Sequence, residues 1–101
     1  MPSRSHRLAP LILVVDDDEM QRFLCREALE SAGFEIEEAS DGARAIALFD
    51  AVKPDLVLLD VLMPELNGFE TCRAIRAMPV GNTIPILMAT GLDDIESIKT
   101  S

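Results

Sequence analysis

Acidic residues follow two of the apolar runs in this sequence. The run Leu11–Val15 leads directly into Asp16 and Asp17, and a later apolar run ends on Asp60. Carboxylates that converge from two such runs repel one another, so they need a cation or a proton between them. Mg²⁺ prefers oxygen ligands and is usually held by one or two carboxylates together with a phosphate oxygen. These residue types therefore favour a Mg²⁺ site.

Asp60 is the candidate nucleophile of this site. It stands alone at the end of an apolar run, where a carboxylate costs stability unless it is solvated or paired. A carboxylate can attack a phosphoryl group, and a neighbouring cation offsets the charge that spreads over the phosphate oxygens in the transition state. Thr90, which follows the last apolar run, can hydrogen-bond a phosphate oxygen. The chemistry indicated is phosphoryl transfer onto Asp60.

Each of these residues also has a purely structural interpretation. Acids that precede a helix cap its first turn and interact favourably with its dipole, and we favour that interpretation for Asp18 and Glu19. Asp16 and Asp17, taken alone, are equally compatible with capping and with metal binding. Thr90, taken alone, is more often a packing residue at the end of a strand.

Two kinds of periodicity alternate along the chain. Four apolar or alternating runs predict strands at residues 11–15, 34–39, 55–60 and 84–89. The second run alternates apolar and acidic residues, so we expect it at an edge of the sheet. Gly33 is suited to the left-handed position that closes a helix, Asp41 precedes the second helix, and Pro54 follows its end. The count is four strand-helix units, the last ending in a short helical turn.

Apolar residues recur at helical spacing between the strands. The first helix carries them at Met20, Phe23, Leu24, Ala28 and Ala32. We expect the second helix to face the core with Ala45, Ile46 and Phe49. The third has Phe69, Cys72 and Ile75 at three-residue intervals, with Arg73 and Arg76 on the other face.

Strands that alternate with helices predict the α/β class, with a doubly wound parallel sheet, right-handed crossovers and helices on both faces. Ligands of such sheets bind outside the carboxyl ends of the strands. Asp16, Asp17, Asp60 and Thr90 all fall at that rim, so one tertiary arrangement would bring the candidate residues together.

Composition limits the classes of function. The 101 residues suffice for one domain, and 18 acidic against 9 basic residues give a net charge of −9, which opposes nucleic-acid binding. No apolar run approaches the length of a membrane span, so we expect a cytoplasmic protein without membrane contact. Residues 1–10 have the character of a flexible leader. Cys25 and Cys72 lack the spacing of a redox or zinc site and are expected to be free thiols.

Three segments of the chain resemble the signature segments of bacterial response-regulator receiver domains, which are CheY-like modules of two-component systems. In chain order these are LILVVDDDEM, PDLVLLDVLMPELNGFE and IPILMATG. The resemblance extends from Leu11 nearly to the C-terminus, so residues 11–101 are expected to form the receiver domain. It implies a flavodoxin-like sheet of order 2-1-3-4-5.

The resemblance also implies a role for each matching residue. Asp60 would be the phosphoacceptor and also contact the metal. Asp17 would bind Mg²⁺ directly, Asp16 mostly through water, and Leu62 through its backbone carbonyl. Thr90 would be the switch hydroxyl that moves toward the phosphoryl group.

The chain departs from the family pattern at its C-terminus. Receivers have a fifth strand that ends in a phosphoryl-binding lysine, then a fifth helix; this sequence stops earlier, and Lys99 does not match that lysine. We expect a truncated domain, with weaker phosphoryl binding. Strand four would then be an unpaired edge, through which we expect the chain to form homodimers.

The resemblance implies a phosphoacceptor module, not a true enzyme. A sensor histidine kinase or phosphotransfer protein would supply the phosphoryl group, and an output domain or protein outside this chain would respond to it. Two alternatives remain open. One is an interaction fragment without phosphotransfer; the other is a Mg²⁺-dependent phosphohydrolase of the haloacid dehalogenase type, which would use the DxD spacing of Asp16 and Asp18.

Overall fold

A computed structural model describes residues 9–60 and 68–89 of the chain. Strands and helices alternate in it, in agreement with the predicted α/β class. Their bounds are β1 Leu11–Val15, α1 Glu19–Ser31, β2 Glu35–Ala39, α2 Gly42–Val52, β3 Leu56–Asp60, α3 Gly68–Arg76 and β4 Ile86–Ala89. The predicted leader, apart from residues 9 and 10, and the predicted final helical turn lie outside the described residues.

The four described strands form one parallel sheet in the order β2-β1-β3-β4. This confirms the predicted strand order and the edge position of β2, which the alternation of apolar and acidic residues had indicated. Val15 pairs with both Ala39 and Leu59, so the carboxyl ends of the first three strands lie at the same level. The register therefore sets residue 16 beside the end of β3.

Two apolar layers cover the sheet, one on each face. On one face, β1 side chains such as Leu13 pack with Phe49 of α2 and Ile75 of α3, all fully buried. On the other face, Ile12 and Val14 pack with Leu29 of α1. Burying one such side chain contributes about 1.5–3 kcal/mol relative to leaving it exposed, so β1 is held from both sides. The doubly wound arrangement is confirmed.

Capping residues mark the helix ends. Asp18 is the N-cap of α1, and its carboxylate accepts a hydrogen bond from the Met20 N–H at 3.0 Å. Asp41 caps α2 in the same way, accepting from the Arg44 N–H at 2.8 Å. At the end of α1, Gly33 has a φ of 99° in the left-handed region, as its position in the sequence had predicted.

The inward faces of α1 and α3 differ from the prediction. Met20, Phe23 and Phe69 are 62%, 53% and 62% exposed, although each belongs to a predicted apolar series. Successive helical residues turn by about 100°, which places Met20 and Phe23 opposite the buried residues of α1. In α3 a three-residue step falls short of a full turn, so the series drifts off the inner face. Cys25, Leu29 and Thr71 are buried instead.

Arg76 joins the end of α3 to the loop that leads into β4. Its Nη1 donates hydrogen bonds to the carbonyls of Gly81 at 2.9 Å and Ile84 at 2.8 Å. A Cβ at Gly81 would lie 1.6 Å from the Ile75 carbonyl oxygen, so only glycine permits this approach. The strand starts at Ile86, two residues later than predicted, and Pro85 precedes it.

None of the helices in the described ranges is long and apolar enough to cross a membrane. Both cysteines are free, with Cys25 buried and Cys72 partly buried, as predicted.

Candidate functional site

Three carboxylates meet at the carboxyl rim of the sheet. Asp16 and Asp17 directly follow β1, and Asp60 is the last residue of β3. One carboxylate oxygen from each lies within 4.8 Å of the other two. Asp16 is only 9% exposed, Asp60 is partly buried and Asp17 is exposed, so the cluster opens to solvent on one side. The structure thus brings together the three acids that the sequence nominated.

Asp16 is held at three separate atoms. Its N–H donates to the carbonyl of Ala39 on β2 at 3.1 Å. Its Oδ1 accepts from the Asp18 N–H at 2.9 Å, and its own carbonyl accepts from Nη1 of Arg22 at 2.7 Å. The residue therefore has little freedom to move away from Asp60.

Burial raises the pKa of Asp16 to about 6, from an ordinary value of 3.8. The hydrogen bond from the Asp18 backbone opposes this shift, whereas the charge of Asp60, a hydrogen bond with its carboxyl and the charge of Asp17 add to it. Acids that repel one another in a partly dry site are stabilised by a proton or by a cation. The raised pKa of Asp16 therefore indicates a site that a bound cation would stabilise.

The donor set matches a hard divalent cation. Mg²⁺ takes six oxygens at about 2.0–2.1 Å, so its ligand oxygens stand about 3–4 Å apart, close to the spread of this cluster. The ligand atoms of the cluster are all carboxylate oxygens, which suit Mg²⁺ better than softer metals. The thiol of Cys25 is not part of the cluster, and burial raises its pKa.

Arg22 was not singled out from the sequence, yet it adjoins this cluster. Besides its bond to the Asp16 carbonyl, its Nε donates to Glu38 of β2 at 3.1 Å. Burial alone would raise the pKa of Glu38, but hydrogen bonds from Arg26 and Arg22 outweigh it and lower the pKa. In the sequence, Arg22 could have been found from its position one turn into the helix that follows the acidic run.

Two further predicted site residues lie outside the described residues. They are Leu62, with its expected backbone contact to the metal, and Thr90, the expected switch hydroxyl. Of the remaining acids in the acidic run, Asp18 is engaged as the cap of α1, in line with the structural interpretation.

Comparison with protein families matches residues 12–101 to the response regulator receiver domain. Among curated proteins, the chain is 44% identical over 84 residues to the response regulator MprA of Mycolicibacterium vanbaalenii, covering 83% of this chain and 36% of that protein. It is 42% identical over 84 residues to its counterpart in Mycobacterium avium, with the same coverage. The chain therefore spans about a third of the length of the curated relatives it matches.

Solved structures show the same fold. The chemotaxis protein CheY4 of Vibrio cholerae superposes with a TM-score of 0.78 at 33% identity, over 91% of this chain and 79% of that one. The N-terminal domain of a response regulator receiver protein from Methanoculleus marisnigri gives a TM-score of 0.77 at 34% identity, over 87% and 77% of the two chains.

Proposed function

The chain belongs to the response regulator receiver domain family, and from that membership we propose that it accepts a phosphoryl group on Asp60 in a Mg²⁺-dependent reaction. The observation that carries the proposal is the convergence of the carboxylates of Asp16, Asp17 and Asp60 within 4.8 Å at one rim of the sheet. Family membership supports a role in two-component signalling, and the geometry supports the choice of residues.

Each residue has a distinct part in this proposal. The carboxylates of Asp16, Asp17 and Asp60 would hold the cation, and Leu62 would add its backbone carbonyl. When bound, Mg²⁺ would offset negative charge on the phosphoryl oxygens during the transfer. The Thr90 hydroxyl would donate a hydrogen bond to an oxygen of the bound phosphoryl group. The assignments of Leu62 and Thr90 rest on the family resemblance.

The transfer step uses an Asp60 carboxylate oxygen as the nucleophile. That oxygen forms a bond to phosphorus while the bond from phosphorus to the donor histidine nitrogen breaks. The electron pair of the broken bond stays on that imidazole nitrogen. The imidazole leaves as a neutral ring, either because its other nitrogen already bears a proton or because it takes one up. The acyl phosphate on Asp60 would add negative charge to an already acidic rim, and a bound cation and the Thr90 hydroxyl would offset that charge.

The partners in this proposal are a sensor histidine kinase or phosphotransfer protein and an output domain or protein that senses the phosphorylated state. The net charge of −9 argues against direct nucleic-acid binding by this chain, and we assign it to the cytoplasm. We assign residues 1–10 to a leader and 11–101 to the receiver domain. Self-association through β4, an edge of the described sheet with Leu87 41% exposed, also remains a prediction.

Phosphohydrolase activity of the haloacid dehalogenase type receives less support. That chemistry would need Asp18 as its second catalytic acid. The Asp18 carboxylate instead accepts the Met20 N–H as the N-cap of α1. Turnover of a phosphomonoester by the wild-type chain would restore this alternative.

Phosphorylation can be tested with a small donor such as acetyl phosphate or phosphoramidate. With Mg²⁺, the intact mass of the chain should rise by one phosphoryl group, and chelation of Mg²⁺ should prevent the gain. Asp60→Asn should abolish it, because an amide oxygen is a much weaker nucleophile than a carboxylate. Asp50→Asn, an exposed acid on α2, is the matched control and should be phosphorylated normally. An undiminished mass gain in Asp60→Asn would overturn the assignment.

A further inference from the structure

We infer that Arg22 is a positioning residue for the acidic cluster, fixing the main chain of Asp16 so that the carboxylates of residues 16 and 17 stay directed at the cation. The inference rests on the proposed function for its consequence but on separate contacts for its geometry. Arg22 acts on the cluster through the Asp16 carbonyl, to which its Nη1 donates a hydrogen bond.

The guanidinium of Arg22 links three elements. Nη1 donates to the Asp16 carbonyl, in the turn after β1, at 2.7 Å, and Nε donates to the Glu38 carboxylate, on β2, at 3.1 Å. The side chain of Arg22 itself is only 16% exposed. A planar guanidinium can serve two acceptors in fixed directions at once, which a single ammonium group does poorly. Arg22 thus ties the turn to the neighbouring strand and to α1.

The bond to the Asp16 carbonyl matters because the cluster opposes its own assembly. Three acids within 4.8 Å repel one another, and the turn that carries two of them follows the last residue of β1. Without Arg22, the part-buried carbonyl of Asp16 would lose this hydrogen bond, and the turn could relax outward. Metal sites lose affinity when their supporting contacts are removed, typically by about 10–100-fold.

Arg26 provides a matched control on the same helix. It also pairs with Glu38, through Nη1, and its Nε donates to Glu30 at 3.1 Å. Its hydrogen bonds in the described part of the chain go to these two carboxylates and not to Asp16. Removing Arg26 therefore disturbs the same ion-pair network and the same strand, but spares the main chain of the cluster.

The test compares Arg22→Ala with Arg26→Ala in the full chain. Because the protein has no Trp or Tyr, Mg²⁺ affinity is best measured by isothermal titration calorimetry. We expect Kd to rise about tenfold in Arg22→Ala and to stay near the wild-type value in Arg26→Ala. Without metal, the Asp18 amide, which donates to Asp16, should exchange with deuterium faster in Arg22→Ala than in Arg26→Ala.

Mg²⁺ affinity and amide exchange together distinguish a failure of the proposed function from a failure of the role inferred for Arg22. If the wild-type chain binds no Mg²⁺, the proposed function fails, and amide exchange alone decides the role of Arg22. If the wild-type chain binds Mg²⁺ but the two variants agree within twofold in Kd and in Asp18 exchange, the role of Arg22 is overturned. Arg22→Gln, which keeps most of the aliphatic stem, is read by the same criteria if Arg22→Ala does not fold.

Discussion

Asp16 directly follows β1 and Asp60 ends the neighbouring parallel strand β3, and an oxygen of one carboxylate lies within 4.8 Å of an oxygen of the other. The pairing of Val15 with Leu59 sets this proximity, since residue 16 follows one and residue 60 the other. Backbone hydrogen bonding in the sheet therefore holds together two groups whose charges repel. The consequences for pH, stability and metal binding can be measured.

Mg²⁺ affinity should fall in mild acid. Because the pKa of Asp16 is about 6, the cation must displace a proton below that pH, and affinity should drop roughly tenfold per pH unit there. Above pH 7 it should be nearly constant. Calorimetric titrations at pH 5.0 and 7.5, in buffers of different ionisation enthalpy, would report both the affinity and the proton released. Equal affinity at the two pH values would contradict the raised pKa.

Asp16→Asn should stabilise the metal-free protein while weakening Mg²⁺ binding. The pKa of Asp16 in the folded state lies above its ordinary value of 3.8, so the folded chain holds more protons between about pH 4 and 6. Its contribution to stability therefore declines as pH rises through that window, and the penalty persists above it. The amide removes this penalty, a gain on the order of 1–2 kcal/mol at pH 7.5.

Urea unfolding followed by far-UV circular dichroism in a chelator would measure the gain from Asp16→Asn. At pH 3.5, below both pKa values, the wild-type carboxyl is mostly protonated in the folded and in the unfolded chain, so the variant should lose most of its advantage. Asp50→Asn is the control, since its exposed carboxylate has no such burial. A variant less stable than wild type at pH 7.5 would contradict the electrostatic account.

Gly81→Ala should destabilise the chain more than Gly33→Ala does. The new Cβ at position 81 would lie 1.6 Å from the Ile75 carbonyl oxygen, so the backbone must move. This movement would disturb the hydrogen bond from Arg76 to the Gly81 carbonyl. Gly33 has open space around it, so its substitution meets only the left-handed φ of 99°, a cost of about 1–2 kcal/mol. Urea midpoints of the two variants would rank them, and equal midpoints would contradict the close approach.

Asp18 should behave as a helix cap and not as a metal ligand. Replacing it with Ala removes the acceptor for the Met20 N–H and should cost about 1 kcal/mol of stability, as should Asp41→Ala in α2. Asp18→Ser should recover most of the loss, because a hydroxyl can accept the same hydrogen bond. Mg²⁺ affinity should stay near wild type in Asp18→Ser; a loss as large as that of Asp16→Asn would assign Asp18 to the metal.

Local sequence signals determined the elements and the candidate cluster. The uninterrupted apolar run of β1 predicted a strand, and the alternating apolar and acidic residues of β2 predicted an edge. Asp18 and Gly33 marked the ends of α1 because capping depends on a few neighbouring residues. Alternating strands and helices predicted a parallel sheet, and with it the meeting of Asp16, Asp17 and Asp60 at one rim.

The tertiary structure decided which faces are covered and which distant groups bond. Periodicity alone did not distinguish the outward Met20, Phe23 and Phe69 from the core, because which side of a helix is buried depends on what packs against it. The bonds of Arg22 to Asp16 and Glu38 likewise join three elements, and their geometry depends on strand register and helix placement. Capping and periodicity act over a few residues, whereas these contacts exist only once the sheet and α1 are assembled.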